Sequence, residues 1–294
     1  MKKSHILLVV LLCAAVAFFT AKSADHSGSP LAPEAQKESA YDRVMKTGTL
    51  RCAYLIYPKF FDRDPNTGAF SGVTVDLMNE IGRQLSLKIE WTEEVGLTNA
   101  FEGLKIGRYD AVCSALMNLP ARFRVATFTI PYVYLPYYMY ARADDARFDN
   151  DFSKADDSSV KVAYLEGEIG QFIKEQNFPK AASVSLQNLT GFSEVPLQVA
   201  TGKADVAMGE PDEVEAFMNK NPGKIRQVVG PPIMMEGSAM QVAPGEYALR
   251  DMLSGTMSYL QNTGFMTQVL EKHLGKPGHT YFLPNPAWKL EDGK

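Results

Sequence analysis

TLRCAYLIY (residues 49–57), LKIEW (87–91) and YDAVCSALM (109–117), separated by FSGVTVDLMNEIG (70–82) and LTNAFEGLKIGR (97–108), decide the fold. The first three are short β-prone runs, and the last of them has the apolar centre of a parallel strand covered on both faces. The two between place apolar residues three or four apart. Val75, Met78, Ile81 and Leu85 make one helical stripe, and Phe101, Leu104 and Ile106 another. Asp64-Pro65-Asn66-Thr67-Gly68 has the composition of a tight turn. This β-α-β-α-β order predicts an open α/β sheet with right-handed crossovers. Such sheets bind ligands beyond the carboxyl ends of their strands. The loops that leave the strands at Tyr54 and at Ser114 are therefore the first places to expect a site.

Working outward, a tyrosine-rich stretch, PYVYLPYYMYARADD (131–145), leads into a second alternating set. VKVAYL (160–165), ASVSLQ (182–187) and ADVAMG (204–209) read as strands. EIGQFIKEQNF (168–178) and EVPLQVATG (194–202) read as helices. The halves echo each other: Gly107-Arg108-Tyr109-Asp110-Ala111-Val112 resembles Gly202-Lys203-Ala204-Asp205-Val206-Ala207. In both, Gly ends a helix and Asp opens a hydrophobic strand. Tyr132, Tyr134, Tyr137, Tyr138 and Tyr140 read as half-buried packing in a strand. Leu249, Met252, Leu253, Met257 and Leu260 predict a long C-terminal helix, GFMTQVLEKHLG (264–275) a further one, and residues 277–294 an irregular tail.

Lys2 and Lys3 precede 14 uninterrupted apolar residues, Ile6–Phe19, and small residues follow. This is the pattern of a secretory signal peptide, with cleavage expected near Ser23. An uncleaved anchor and a lipoprotein at Cys13 are the alternatives; the run is short of the roughly 20 residues that span a bilayer. Residues 24–41 read as a flexible tether, and about 250 residues remain for the folded body. With 46% hydrophobic residues that body can bury a sizeable core. The formal charge is −4, and removing residues 1–23 takes away three lysines and no acid, which leaves −7. An acidic body without a basic cluster argues against nucleic acid or an anionic membrane surface as partner. Beyond the leader only Cys52 and Cys113 remain, read as two buried free thiols, with a disulfide permitted by export. The four histidines lie near the two ends, so neither a zinc site nor a His-based catalytic centre is expected. No cofactor is implied.

FSGVTVDLMNEIG, then Trp91, EGLKIGRYDAV (102–112), Arg122 and FTIPYVY (128–134), in this order and spacing, resemble the bacterial family 3 extracellular solute-binding proteins, the receptors of amino-acid ABC transporters. The resemblance runs from about Gly48 to Gly275. It implies the type II periplasmic-binding-protein fold: two open α/β sheets, one per lobe, joined by a two-strand hinge with ligand between them. Lobe 1 would comprise 42–138 and 238–276, and lobe 2 139–237. It also implies a monomer in the periplasm, a small-molecule ligand and a membrane ABC permease as partner.

By resemblance, Arg122 would clamp a ligand carboxylate, a role that suits its planar guanidinium. The chain departs from the family around it, with Ala115, Met117 and Leu119 where small hydroxyl residues are usual. Backbone N–H groups or Asn118 would have to complete the carboxylate's hydrogen bonds. In YLEGEIGQF (164–172) Gly167 is kept, but Glu168 and Ile169 replace hydroxyl residues. Glu168 is either a helix-start acid or a contact for a cationic or hydroxyl-rich ligand. Glu210, in ADVAMGEPDEV (204–214), would pair with a ligand ammonium, and Tyr57 would stack on the ligand. The ligand-binding set is thus Tyr57, Ser114, Asn118, Arg122, Glu168 and Glu210. The mix suggests a ligand with one anionic group and a positive or hydroxylated remainder.

Two other classes of function bear weighing. A few relatives are cyclohexadienyl-dehydratase-like enzymes, and Glu168 or Glu210 is a possible acid catalyst. Their Gly-Gly-Thr-Asn-Glu type loop is missing from LEGEIGQ (165–171), and no nucleophile elbow or phosphate loop is present. No enzyme activity is expected. The third class is a ligand-sensing partner of a membrane signalling protein.

Overall fold

In the computed structural model of the chain, which describes residues 38–96, 99–187 and 192–284, the alternation becomes two matching parallel blocks. In the first, β1 (Thr49–Tyr54) lies between β4 (Lys88–Glu94) and β5 (Ala111–Met117), parallel to both. In the second, β8 (Lys161–Leu165) lies between β9 (Ala182–Leu186) and β10 (Val206–Gly209), again parallel to both. Each block is closed by an antiparallel strand: β12 (Met234–Val242) beside β5, and β7 (Val133–Arg142) beside β10. The orders β4-β1-β5-β12 and β9-β8-β10-β7 are therefore the same.

The echo read from the sequence has a physical cause. The carboxylate of Asp110 accepts the backbone N–H of Arg51 at 2.9 Å, and that of Asp205 accepts the N–H of Lys161 at 2.9 Å. In each block the aspartate thus satisfies the central strand's first free donor, just as the chain enters its neighbour. Gly107 and Gly202, at φ 76° and 73°, end the preceding helices, a left-handed backbone that costs glycine nothing.

β7 and β12 join the blocks. Val133–Tyr137 of β7 pairs with Met234–Ser238 of β12, and from Tyr138 onward β7 pairs instead with β10 and with β11 (Ile225–Gln227). Helices α2 (Val73–Leu85), α7 (Tyr247–Asn262) and α8 (Phe265–Leu274) cover the first sheet, where Leu77, Met78, Ile81, Leu253 and Met257 are fully buried. On the second, α4 (Ile169–Asn177) buries Ile173 and α5 (Glu194–Ala200) buries Val199.

The expected helices and strands recur with ends shifted by one to three residues, mostly inward, while β4 runs on past Trp91 to Glu94. Features not anticipated include α1 (Ala40–Thr47), the short hairpin β2–β3 (Asp62–Arg63 with Phe70–Ser71), β6 (Thr127–Phe128) beside β12, β11, and α6 (Pro211–Lys220). The expected signal peptide and most of the tether lie outside the described residues, and Ala40 and Tyr41 belong to α1. In the tail, Phe282 pairs with Tyr134, while Trp288 lies outside the described residues. No described helix is long and apolar enough to cross a membrane.

The reading of Cys52 and Cys113 as free thiols is corrected: they form a disulfide with Cα atoms 5.4 Å apart. Both are fully buried on adjacent strands β1 and β5, and β-pairing brings together residues that are 61 positions apart in the chain. Sequence spacing alone carries no such information.

Candidate functional site

The site grows from the exit of β1. After Tyr54 the chain turns through Tyr57–Phe61, closed by the N–H of Phe61 donating to the Tyr57 carbonyl at 2.7 Å. Helix α2 holds this turn from outside: the N–H groups of Val73 and Thr74 donate to the carbonyls of Lys59 and Phe60 at 3.0 and 2.9 Å. Two donors that every helix start leaves without intrahelical partners are thereby used. Gly72 makes the approach possible. It sits at φ 120°, and a Cβ there would run into the Phe60 carbonyl. On the inner side Phe61 stacks on Tyr54 at 4.5 Å and meets Trp91 edge-on at 4.7 Å. Tyr57, stacked on Phe60 at 5.0 Å, is left with its hydroxyl directed across to α6.

That hydroxyl donates to Glu210 Oε2, and Tyr137 donates to Glu210 Oε1 at 2.5 Å. Glu210 is the N-cap of α6, with Pro211 at the first helical position, a placement proline tolerates because no N–H is needed there. Its side chain makes no capping bond and is free to reach the tyrosines. Lys59 and Asp212 add an exposed ion pair at 2.7 Å between the same two segments.

Behind this crossing lies a cavity of about 290 Å³. Its wall is built from strand ends: Leu55–Tyr57 after β1, Glu94–Gly96 at the end of β4, Ser114–Met117 of β5, and Glu210 and Glu213 after β10. Leu135 and Tyr137 of β7 share one face of that strand, two residues apart, and complete the wall with Ser238 and Phe192. The chain leaving β1 after Tyr54 and the β5 segment from Ser114 both border this cavity. Ser114 is buried and its Oγ accepts the Leu55 N–H at 2.9 Å, which fixes the β1 exit. Ser238 is fully buried, and its Oγ has no partner among the described residues.

The electrostatics are one-sided. Glu94, Glu210 and Glu213 are the charged residues of the wall among the described residues. Glu210 and Glu213 stand three apart, the spacing of one helix face. Burial, and then the charges of Glu210, Glu168 and Asp212, push the Glu213 carboxyl well above its ordinary range. Burial also raises Glu210, with the Tyr137 and Tyr57 hydrogen bonds pulling the other way and Asp212 adding to the rise. The hydroxyls of Tyr57 and Tyr137 are raised by burial first and by Glu210 next, so they remain donors.

Arg122 is placed differently from a wall residue. It begins a single 3₁₀ turn, Arg122–Arg124, after β5. Its Nη2 donates to both Glu168 oxygens at 3.4 and 3.3 Å, and Nη1 to the Met117 carbonyl at 3.3 Å. Arg122 and Glu168 are 8% and 4% exposed, so each is the other's buried counter-charge. Such a pair is costly to break from one side, because the survivor stays buried and loses that counter-charge. The Asn118 N–H donates to Glu236 Oε1 at 2.9 Å, and its side-chain Oδ1 is buried without a partner among the described residues.

Of the six residues expected, Tyr57, Ser114 and Glu210 meet at the cavity, while Arg122 and Glu168 form a pair of their own and Asn118 caps the β5 exit. Two residues were missed. Glu213 was legible as the residue one turn beyond Glu210, had the helix after Pro211 been drawn. Tyr137 was read as packing. Its role depends on β7 passing from one sheet to the other beside Glu210, which no local pattern reveals.

Two sheets of matching topology, joined through an antiparallel strand pair and enclosing a cavity at their strand ends, define a two-lobed ligand clamp of the type II periplasmic binding kind. The chain belongs to the bacterial extracellular solute-binding proteins, family 3, whose sequence model matches residues 51–276. Among similar proteins, ABC transporter arginine-binding protein 1 of Escherichia coli (strain K12) is 22% identical over 219 residues, 74% of this chain and 86% of that protein. Cyclohexadienyl dehydratase of Pseudomonas aeruginosa is 27% identical over 184 residues, 61% of this chain and 65% of the enzyme. Among solved structures, an ancestral amino acid-binding protein, a precursor of cyclohexadienyl dehydratase, is 24% identical with a TM-score of 0.64, covering 80% of this chain and 99% of that one. A binding component of an ABC transporter from Wolinella succinogenes, complexed with lysine, is 17% identical with a TM-score of 0.65, covering 78% and 97%. At these identities the solved structures share the fold.

Proposed function

We propose that the chain is an exported receptor that encloses one small polar solute between its lobes and presents it to a membrane ABC permease. The observation that carries this reading is the cavity of about 290 Å³ whose wall draws on both sheets and is closed across by Tyr57 and Glu210. A site of this size, largely apolar with a few convergent polar groups, suits a small molecule. The family supports transport, and the amino-acid-binding relatives support a ligand of that size.

In this reading β7 and β12 are the hinge, lobe 1 is 42–138 with 238–276, and lobe 2 is 139–237. The switch of β7 from one partner to the other between Tyr137 and Tyr138 supports that division. Hinge bending would open the cleft by breaking the Tyr57–Glu210 and Lys59–Asp212 contacts. The receptor works as a monomer in the periplasm, carried there by its N-terminal segment.

Native mass spectrometry of the exported protein, purified without refolding, tests the reading. A stoichiometric adduct that keeps its mass over hours of incubation supports capture. An adduct that is converted and released favours a dehydratase-like enzyme instead.

A further inference from the structure

We propose that the cleft takes an organic ammonium ion with an apolar body and no carboxylate. The inference rests on the clamp reading above and names the ligand class of that same cavity.

The wall decides the sign of the ligand. Glu94, Glu210 and Glu213 face the space, with no lysine, arginine or histidine in the wall among the described residues. Glu210 is held in place by Tyr57 and Tyr137, one hydroxyl on each oxygen. Glu213, one turn further along α6, accepts no hydrogen bond from any described residue and is the carboxylate left to be satisfied. The cavity also has an unused polar group. Ser238, which borders the space, is fully buried, and its Oγ has no partner among the described residues. Buried hydroxyls without a partner are uncommon in folded proteins. An ammonium has three N–H donors and no acceptor. It matches a carboxylate and a hydroxyl oxygen together, which a second anion does not. Leu55, Val95, Leu116, Leu135 and Phe192 supply the apolar remainder of the wall.

The missing carboxylate follows from Arg122. A ligand carboxylate needs a buried cation or several donors. Arg122 is the cation at hand, and its Nη2 is already shared between both oxygens of Glu168. A zwitterionic amino acid would have to take the guanidinium from Glu168, a buried acid close enough to raise Glu213, or set its own carboxylate against the acids of the wall. An amine without the carboxylate avoids both.

Matched pairs test this on the full exported protein by calorimetry and thermal shift: phenethylamine against phenylalanine, cadaverine against lysine, agmatine against arginine. Glucose, sorbitol and succinate serve as neutral and anionic controls. The expected result is that at least one amine binds at least tenfold tighter than its amino acid. Glu213→Gln, which keeps the shape of the side chain, is expected to lower that affinity at least tenfold with the melting temperature no lower than the parent's. An amino acid that binds as tightly as its amine, a control ligand that binds while no amine does, or amine affinity unchanged in Glu213→Gln overturns the inference and leaves the clamp reading standing. If no member of any panel binds and native mass spectrometry finds no adduct, the clamp reading falls and the inference with it.

Discussion

Replacing Arg122 by methionine removes the buried guanidinium that donates to both oxygens of Glu168, itself 4% exposed. From the resemblance alone this arginine is a ligand clamp, whose loss would abolish binding and spare the fold. The structure predicts the reverse. Breaking a buried ion pair from one side costs about 3–5 kcal/mol. The contacts here, 3.3 and 3.4 Å, are longer than the 2.7–2.9 Å of a strong charge-assisted bond. The low end, about 3 kcal/mol, is therefore appropriate. For a body of this size each kcal/mol moves the melting temperature by about 2–4 °C, so Arg122→Met should melt about 6–12 °C lower. Glu168→Leu alone should cost a similar amount. The double variant exchanges the pair for apolar groups and should recover most of the loss, because the desolvation of both charges is removed together. The assay is a double-mutant cycle by urea unfolding, which isolates the pair's coupling. Single variants that melt within about 2 °C of the parent, or losses that simply add, would refute this account of the pair.

Other outcomes follow from the same structure. The disulfide closes a loop between residues 61 apart, so replacing Cys52 and Cys113 by alanine should cost about 4 kcal/mol on the chain-entropy model, read from urea midpoints. Gly72→Ala sets a Cβ against the Phe60 carbonyl at φ 120° and should loosen the turn that carries Tyr57, lowering stability by more than the ordinary gain of about 0.4–1 kcal/mol from such a change elsewhere. The raised carboxyl of Glu213 faces Glu210, Glu168 and Asp212, with Tyr57 and Tyr137 held against Glu210 beside it. The empty folded protein therefore keeps a proton that the unfolded chain has lost. Stability should fall, by at most about 1.4 kcal/mol per pH unit for that group, as pH rises from the ordinary carboxylate range through the raised value. Glu213→Gln should flatten that slope in pH-dependent urea titrations. On the same sign, a bound ammonium favours the ionised carboxyl, so binding should release protons and tighten as pH rises, visible as buffer-dependent heats in calorimetry.

Much of the architecture was legible in the linear sequence because it rests on local physics. The period of Val75, Met78, Ile81 and Leu85 makes a helix wherever an apolar face is offered to it. The Gly-then-Asp signature of residues 107–110 and 202–205 marked both blocks, since Gly stops a helix and Asp satisfies the neighbouring strand's N–H. That Tyr57, Ser114 and Glu210 would gather around one cavity was legible because all three stand at strand ends, where such sheets bind ligands.

The remainder depended on which distant groups become neighbours. Arg122 and Glu168 are 46 residues apart, and nothing local to either says that they neutralise each other. The pairing of Cys52 with Cys113 is a consequence of β1 and β5 being adjacent in register. Tyr137 looks like any packed tyrosine until β7 is seen to carry it between the sheets to Glu210. Glu213 stands out only once the fold sets it, half-buried, beside Glu210, Glu168 and Asp212 at the cavity wall. The sequence by itself determined the elements, their order and the ends from which a site would be built. The tertiary structure alone decided which charges pair with one another and which face the cavity, because electrostatic interactions depend on distance and burial, and neither is written in chain order.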